Sequence, residues 1–217
     1  NQIAERIMQD KKGFLTDLQK VLEADTWDSL ILADKKHFLS EEYEPSDLVS
    51  LTPDLATAHS YVINRNDLSL RAPVEKALQV MAEAAKSEGI TLVVSSTYRT
   101  YNYQKKIYER NVAQMGKAAA DRESAAPGTS QHQLGVAIDF GSITDEYAET
   151  KAGKWLAANA SKYGFSLSFP NGYEAVTGYR WECWHYRYVG EAAISFQEKW
   201  FNNVQQYMIE FIHAWRQ

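Results

Sequence analysis

The chain has 217 residues, 45% of them hydrophobic and 24% charged, which is the balance of a globular protein with a real core. No run approaches the ~18 consecutive apolar residues of a membrane span. The net charge is −5 and no basic tract stands out, which argues against nucleic acid as a partner. Cys183 stands alone, so neither an internal disulfide nor a cysteine-based metal knuckle is available. The first residue is Asn1, and no charged-then-apolar leader follows it; the expectation is a trimmed or mature chain.

In chain order, Phe14, Leu15, Leu18, Val21 and Leu22 recur at helical spacing, with Gly13 as a break before them. Leu30–Leu32 is a short strand candidate. Residues 39–54 look mostly irregular, with Pro45 and Pro53 among them. The clearest helix runs over 72–87. Pro73 suits its first turn, Val74, Ala77, Leu78, Met81 and Ala85 form an apolar face, and Gly89 closes it. A β-branched strand follows over 90–95, then a helix over 102–114. Residues 116–130 read as a long polar loop, and loops of that length are usually functional or disordered.

A strand is expected over 135–140, a single helix over 147–163 with Trp155, Leu156, Ala160 and Tyr163 inward, and a strand over 165–169. Asn171-Gly172 makes a turn. A last strand is expected over 181–188, and helices over 191–200 and 204–215 finish the chain. The mixture lacks a βαβ rhythm, so the fold class is α+β: a small central, mostly antiparallel sheet flanked by helices. Residues 1–30 are expected to form an N-terminal helical extension and residues 31–217 the main domain. The aromatic run Trp181, Trp184, Tyr186 and Tyr188 reads equally well as strand packing or as the wall of a cleft.

Two segments carry chemistry. One is Ser130-Gln131-His132-Gln133-Leu134-Gly135-Val136-Ala137-Ile138-Asp139, the other Glu182-Cys183-Trp184-His185. Together they offer two histidines and two carboxylates, the ligand and base types of a catalytic zinc site. Seven residues of extended chain between His132 and Asp139 would span roughly 23 Å, so shared metal ligation demands a bend, and Gly135 is best able to allow it. Glu182 and His185, three apart, would point to opposite faces of a straight strand, so a turn or bulge is needed there. Each residue alone has a plain structural reading, as a cap, a surface carboxylate or a core histidine. His37, His59 and His213 are taken as structural.

The joint pattern Ser-x-His-x-x-Gly-x-Ala-x-Asp followed by Glu-x-x-His resembles the LAS metallopeptidases, the group of lysostaphin-type enzymes, D-alanyl-D-alanine peptidases and the hedgehog fold. It is most similar to the VanY-type D-alanyl-D-alanine carboxypeptidases. Supporting segments are Ser96-Thr97-Tyr98-Arg99-Thr100 with Gln104, Tyr163-Gly164-Phe165, Trp184 to Gly190, and the entry stretch from Lys35 to Leu51. The resemblance covers about residues 32–190. It implies one zinc per chain held by His132, Asp139 and His185, with Glu182 as general base. It implies Arg99 at the substrate carbonyl or carboxylate, and Ser130, Gln104 and Trp184 around the substrate.

The implied substrate is a peptidoglycan stem peptide ending in D-Ala, with D,D- or L,D-specificity open, and the implied location is the cell envelope. An endopeptidase of the same fold, a non-catalytic zinc module binding cell-wall peptides, and a cytosolic dipeptidase are the alternatives. Cys183 departs from the family, which often has Pro there. A thiol could compete for the metal or turn away as a small buried residue.

Overall fold

A computed structural model describes residues 2–217, and among them the chain forms ten α-helices, three short 3-10 helices and seven strands. None of these helices is long and apolar enough to cross a membrane.

Helices α1 (Gln2–Gln9) and α2 (Lys11–Ala24) open the chain. Asp10 caps α2, its carboxylate accepting the Gly13 N–H at 2.8 Å. Gly13 therefore lies inside the first turn and does not break the helix. A Cβ there would sit 2.1 Å from Asp10 Oδ2, so a larger residue would make the capping side chain shift. Phe14, Leu18 and Val21 are buried, whereas Leu15 faces outward.

The central sheet has the order β2-β4-β5-β7-β6. Strand β2 (Val62–Ile63) runs parallel to β4 (Val93–Ser96), and the other pairings are antiparallel. These join β4 to β5 (Ala137–Phe140), β5 to β7 (His185–Tyr188) and β7 to β6 (Phe165–Leu167). A smaller antiparallel pair, β1 (Leu48–Ser50) with β3 (Ser69–Arg71), lies apart, and α3 (Pro53–Ala58) sits between them in sequence. The architecture is the expected α+β one. Helix α4 (Ala72–Ser87) lays Val74, Leu78, Met81, Ala82 and Ala85 into the main core with Leu92, Val94, Ile138, Phe140 and Phe165.

Several local expectations are corrected. Leu30–Leu32 is not a strand, although Leu30 and Leu32 are buried: the carbonyls of Ser29 and Ile31 accept from the Arg187 guanidinium at 2.7 Å each, in place of a ladder. The stretch 116–130 holds a helix, α6 (Lys117–Glu123), in its alanine-rich half; Gly116 at φ +80° separates it from α5 (Tyr101–Met115). Residues 147–163 are not one helix. Thr150 takes an extended conformation after a 3-10 turn (Asp145–Glu149) and caps α7 (Lys151–Asn159), accepting from Gly153 N at 2.9 Å. A further 3-10 turn (Ala160–Tyr163) then leads to β6. The last strand begins at His185 because the Glu182 carbonyl accepts the His185 N–H at 3.1 Å, which makes residues 182–185 a turn. Helix α8 (Glu174–Thr177) precedes this turn.

Helices α9 (Glu191–Trp200) and α10 (Gln205–Trp215) close the chain. They form a second core with α2, in which Phe14, Leu18 and Leu30 meet Phe196, Trp200, Met208 and Ile209. The Phe14 ring lies 5.2 Å from Phe196 and edge-on to Trp200 at 5.3 Å. Asp17 anchors the seam by accepting from Lys199 Nζ at 2.7 Å and Trp200 Nε1 at 3.1 Å. Truncating Phe14 to alanine removes the centre of this cluster. Phe14→Ala is expected to cost about 3–5 kcal/mol, read as a lower denaturant midpoint with an unchanged slope.

Candidate metal centre and cavity

The antiparallel register of β5 and β7 places Asp139 directly opposite His185. Directly paired residues project from the same face of a sheet. His132 arrives from a 3-10 turn (Gln131–Leu134), with Ser130 Oγ accepting the His132 N–H at 3.2 Å. Gly135 follows at φ +70°, and a Cβ on it would meet Arg71 Cγ at 2.9 Å and Leu48 Cδ2 at 3.1 Å. The bend needed between His132 and Asp139 falls at this glycine.

One donor atom from each of His132, Asp139 and His185 lies within 4.8 Å of the others, and among the described residues this is the only such group. His132 Nε2 is 3.2 Å from Asp139 Oδ2, and His185 Nδ1 is 2.9 Å from Asp139 Oδ1. The outer ring nitrogens are tied. His132 Nδ1 donates to the Thr97 carbonyl at 2.7 Å. His185 Nε2 donates to Gln131 Oε1 at 3.2 Å. Each partner oxygen only accepts, so the outer nitrogens carry the ring protons and the inner nitrogens, beside Asp139, are the ones available to a metal.

The electrostatics suit a cation. Burial first, and then the Arg99 charge, pushes His132 down to about 4, so the ring is neutral at physiological pH. Burial by itself would raise the Asp139 carboxyl, but His132 and His185 outweigh it and hold it well below the usual range. Two imidazoles and one carboxylate, with the outer ring nitrogens already hydrogen-bonded, fit zinc, which takes three such protein ligands in catalytic sites.

These groups form one wall of a cavity of about 340 Å³, which also takes in Arg99, Ser130, Glu182 and Trp184. Glu182 is 9% exposed, and its Oε2 stands 3.7 Å from His185 Nδ1. Burial, then the negative charge of Asp139, pushes its carboxyl up to about 8 against the opposing pull of Arg99 and Arg180. Arg99 spans the site. Its Nε and Nη2 donate to Ser96 Oγ at 3.0 and 2.8 Å, and Nη2 also donates to Asp139 Oδ2 at 2.8 Å. Nη1 donates to Gln104 Oε1 at 3.2 Å, which leaves one of five guanidinium donors for a ligand among the described residues.

Gln104 is placed differently from expectation. It is buried behind Arg99, with its amide nitrogen donating to the Ala125 carbonyl at 2.7 Å, and it does not reach the cavity. Both ends of its amide are spent on holding Arg99 and the chain before Ser130. Cys183 also turns away. Its Sγ faces the Thr144 and Asp145 carbonyls at 3.6 and 3.7 Å, and the residue is buried. Of the aromatic run, Trp184 lines the cavity, together with Phe169 and Tyr179, whereas Tyr186 packs in the main core. His37 and His59 pair with Asp34 and Glu75 at 2.7 and 2.6 Å, and His213 packs edge-on against His37.

Sequence reasoning passed over Gln131. Its Oε1 takes hydrogen bonds from His185 and from Ser168 Oγ at 2.7 Å, and its amide nitrogen donates to Gln205 Oε1 at 3.3 Å. Its place beside His132 was a usable signal. Nothing in the sequence pointed to Ser168 or to Gln205, 74 residues away.

A small α+β sheet carrying a buried His-Asp-His cluster, with a free carboxyl at the edge of a cleft, is the arrangement of a metallopeptidase. The chain belongs to the VanY family, described as D-alanyl-D-alanine carboxypeptidase, whose model matches residues 67–191. YodJ of Bacillus subtilis (strain 168) is 37% identical over 190 residues, which cover 83% of this chain and 68% of that protein. The chain spans 47% and 51% of the length of two enterococcal D-alanyl-D-alanine carboxypeptidases that it also matches. Among solved structures, the LdcB LD-carboxypeptidase superposes with a TM-score of 0.73 at 34% identity, covering 84% of this chain and 86% of that one. A VanY D,D-pentapeptidase variant in complex with Zn(II) superposes with a TM-score of 0.67 at 29% identity, covering 83% and 98%.

Because Gln131 orients the His185 ring, Gln131→Leu is expected to weaken zinc binding about 10- to 100-fold while leaving the fold intact. Competition with a chromogenic chelator measures this. An affinity equal to that of the unaltered chain would mean that packing alone orients the ring.

Proposed function

We propose that this chain is a zinc-dependent carboxypeptidase that removes the C-terminal D-Ala of peptidoglycan stem peptides in the cell envelope. One observation carries the reading: His132, Asp139 and His185 turn their donor atoms to a common point on the wall of a cavity that Glu182 and Arg99 also line. Family membership supports it, as do the similar VanY D,D-pentapeptidase solved with Zn(II) and the similar LdcB LD-carboxypeptidase, which recognises peptidoglycan.

In this reading His132, Asp139 and His185 hold one zinc ion. Zinc, when bound, supplies Lewis acidity that polarises a carbonyl and makes water far more acidic. Glu182 takes the proton of the attacking water as the new C–O bond forms. It returns that proton to the departing nitrogen as the C–N bond breaks, so the products are the shortened peptide acid and the free amino acid. Arg99 is already fixed by Ser96, Gln104 and Asp139, so its charge faces the substrate without reorganising. Trp184, Phe169 and Tyr179 limit water in the cavity, with the Phe169 ring 4.8 Å from that of His185. Ser130 closes the turn that presents His132 and adds a hydroxyl to the cavity.

Glu182→Gln is expected to lower turnover of a D-Ala-terminated stem peptide by about 10²- to 10⁴-fold. Elemental analysis should find its zinc retained at one per chain, whereas His185→Ala loses it. Full zinc occupancy in His185→Ala would reject the ligand set.

The cationic end of the cavity favours a free C-terminal carboxylate. Amidation of the stem peptide is therefore expected to slow hydrolysis about 10- to 100-fold, the worth of one hydrogen bond to a charged group. Equal rates on acid and amide would favour an endopeptidase.

A further inference from the structure

Beside the main cavity lies a second hollow of about 240 Å³, and the two share Arg65, Ser96, Arg99 and Tyr103. These four residues are therefore the partition between them. Half of the partition is fixed, because Ser96 and Arg99 are bonded to each other and Arg99 to Asp139. The other half is a pair of side chains from separate elements. Arg65 comes from the loop between β2 and β3, and Tyr103 from the first turn of α5.

Arg65 Nη2 donates to the Tyr103 hydroxyl at 3.0 Å, and its guanidinium lies 5.7 Å from the centre of the Tyr103 ring. Both Nε and Nη2 of Arg65 also engage the Asp67 carboxylate in a fork. Asp67 itself lines only the second hollow. The pair is partly exposed, with 36% of the Arg65 side chain and 38% of Tyr103 open to solvent. It is thus a wall made of side chains that the core does not depend on.

The wall stands next to Arg99, so two guanidinium groups face the same end of the cavity. A substrate carboxylate drawn to that end meets Arg65 and Tyr103 just beyond it. The second hollow is the space directly behind these shared residues, and the pair stands between it and the main cavity.

We propose that Arg65 and Tyr103 form the end wall of the subsite for the departing residue and thereby limit hydrolysis to the last residue of the substrate. This rests on the carboxypeptidase reading above. It assigns the exopeptidase limit to two side chains that touch neither the metal ligands nor the base.

The test uses the zinc-loaded full chain and two peptides: a stem peptide ending in D-Ala with a free carboxylate, and the same peptide extended by one glycine. Cleavage of the same bond releases D-Ala from the first and D-Ala-Gly from the second, and mass spectrometry follows both. Arg65→Ala, Tyr103→Ala and the double variant are expected to raise the ratio of extended to free-acid cleavage on the order of tenfold or more. Release of D-Ala from the free acid should continue with a higher KM, because its carboxylate loses a neighbouring cation while the metal ligands and Glu182 are untouched. Asp67→Asn, which loosens Arg65 from outside the main cavity, should move the ratio in the same direction.

An unchanged ratio in a double variant that still releases D-Ala overturns the proposal. So does loss of D-Ala release with zinc retained, which would put the pair inside the reaction. Failure of the unaltered chain to release D-Ala from the free acid is a separate result, against the carboxypeptidase reading itself.

Discussion

The site depends on one buried negative charge. Asp139 is 3% exposed, at the wall of the cavity. An ionised carboxylate in such a place is tolerated only when paired and hydrogen-bonded. Here Oδ1 faces His185, and Oδ2 is shared between His132 at 3.2 Å and Arg99 at 2.8 Å. Each partner is in turn fixed by backbone or by a neutral side chain: His132 by the Thr97 carbonyl, His185 by Gln131, Arg99 by Ser96 and Gln104. The strands supply the register, and Asp139 decides what has to be placed around it.

That requirement reaches the ends of the chain. Gln131 is held by Ser168 and Gln205, and Gln205 in turn donates to the Ser166 carbonyl at 3.2 Å. Gln205 opens α10, which packs with α9 and α2 in the second core. Two residues further along β7 the buried Arg187 grips the Ser29 and Ile31 carbonyls, and burial lowers its pKa to about 10. Helix α10 and the segment after α2 therefore both brace the strand that carries His185. The ten-residue motif names two of the three ligands, but the orientation of the third, His185, rests on Gln131, which is itself held by Gln205 of α10, 74 residues further on.

The legible parts of the sequence were those with a period or a chemical signature. Helix α4 carries proline, an apolar face and a closing glycine in the expected places, and its bounds coincide with the expected ones. Strands of two or three residues, such as β2 and β3, offer no alternation to detect and were missed. Leu30–Leu32 has strand-like composition but lies where only an arginine side chain meets its carbonyls. The four site residues His132, Asp139, Glu182 and His185 were singled out by pattern, and the fold brings them to one place. Gln104 shows the limit of that method. The pattern placed it near Arg99, yet only coordinates reveal that both ends of its amide are consumed there.

Arg99 resolves a tension between structural and functional roles. Four of its hydrogen bonds go to protein, which on its own would describe a structural arginine. Yet it lines the cavity and reaches a metal ligand. A lysine could supply the charge but not the planar fork that joins Ser96, Gln104 and Asp139 at once. The internal bonds are what make the charge useful. A guanidinium free to swing would have to be ordered by each substrate, losing side-chain entropy at the moment of binding. Held as it is, it presents one remaining N–H and a fixed positive charge before substrate arrives. The same bonds keep Asp139 oriented toward the histidines, so one side chain serves both the ligand set and the substrate face.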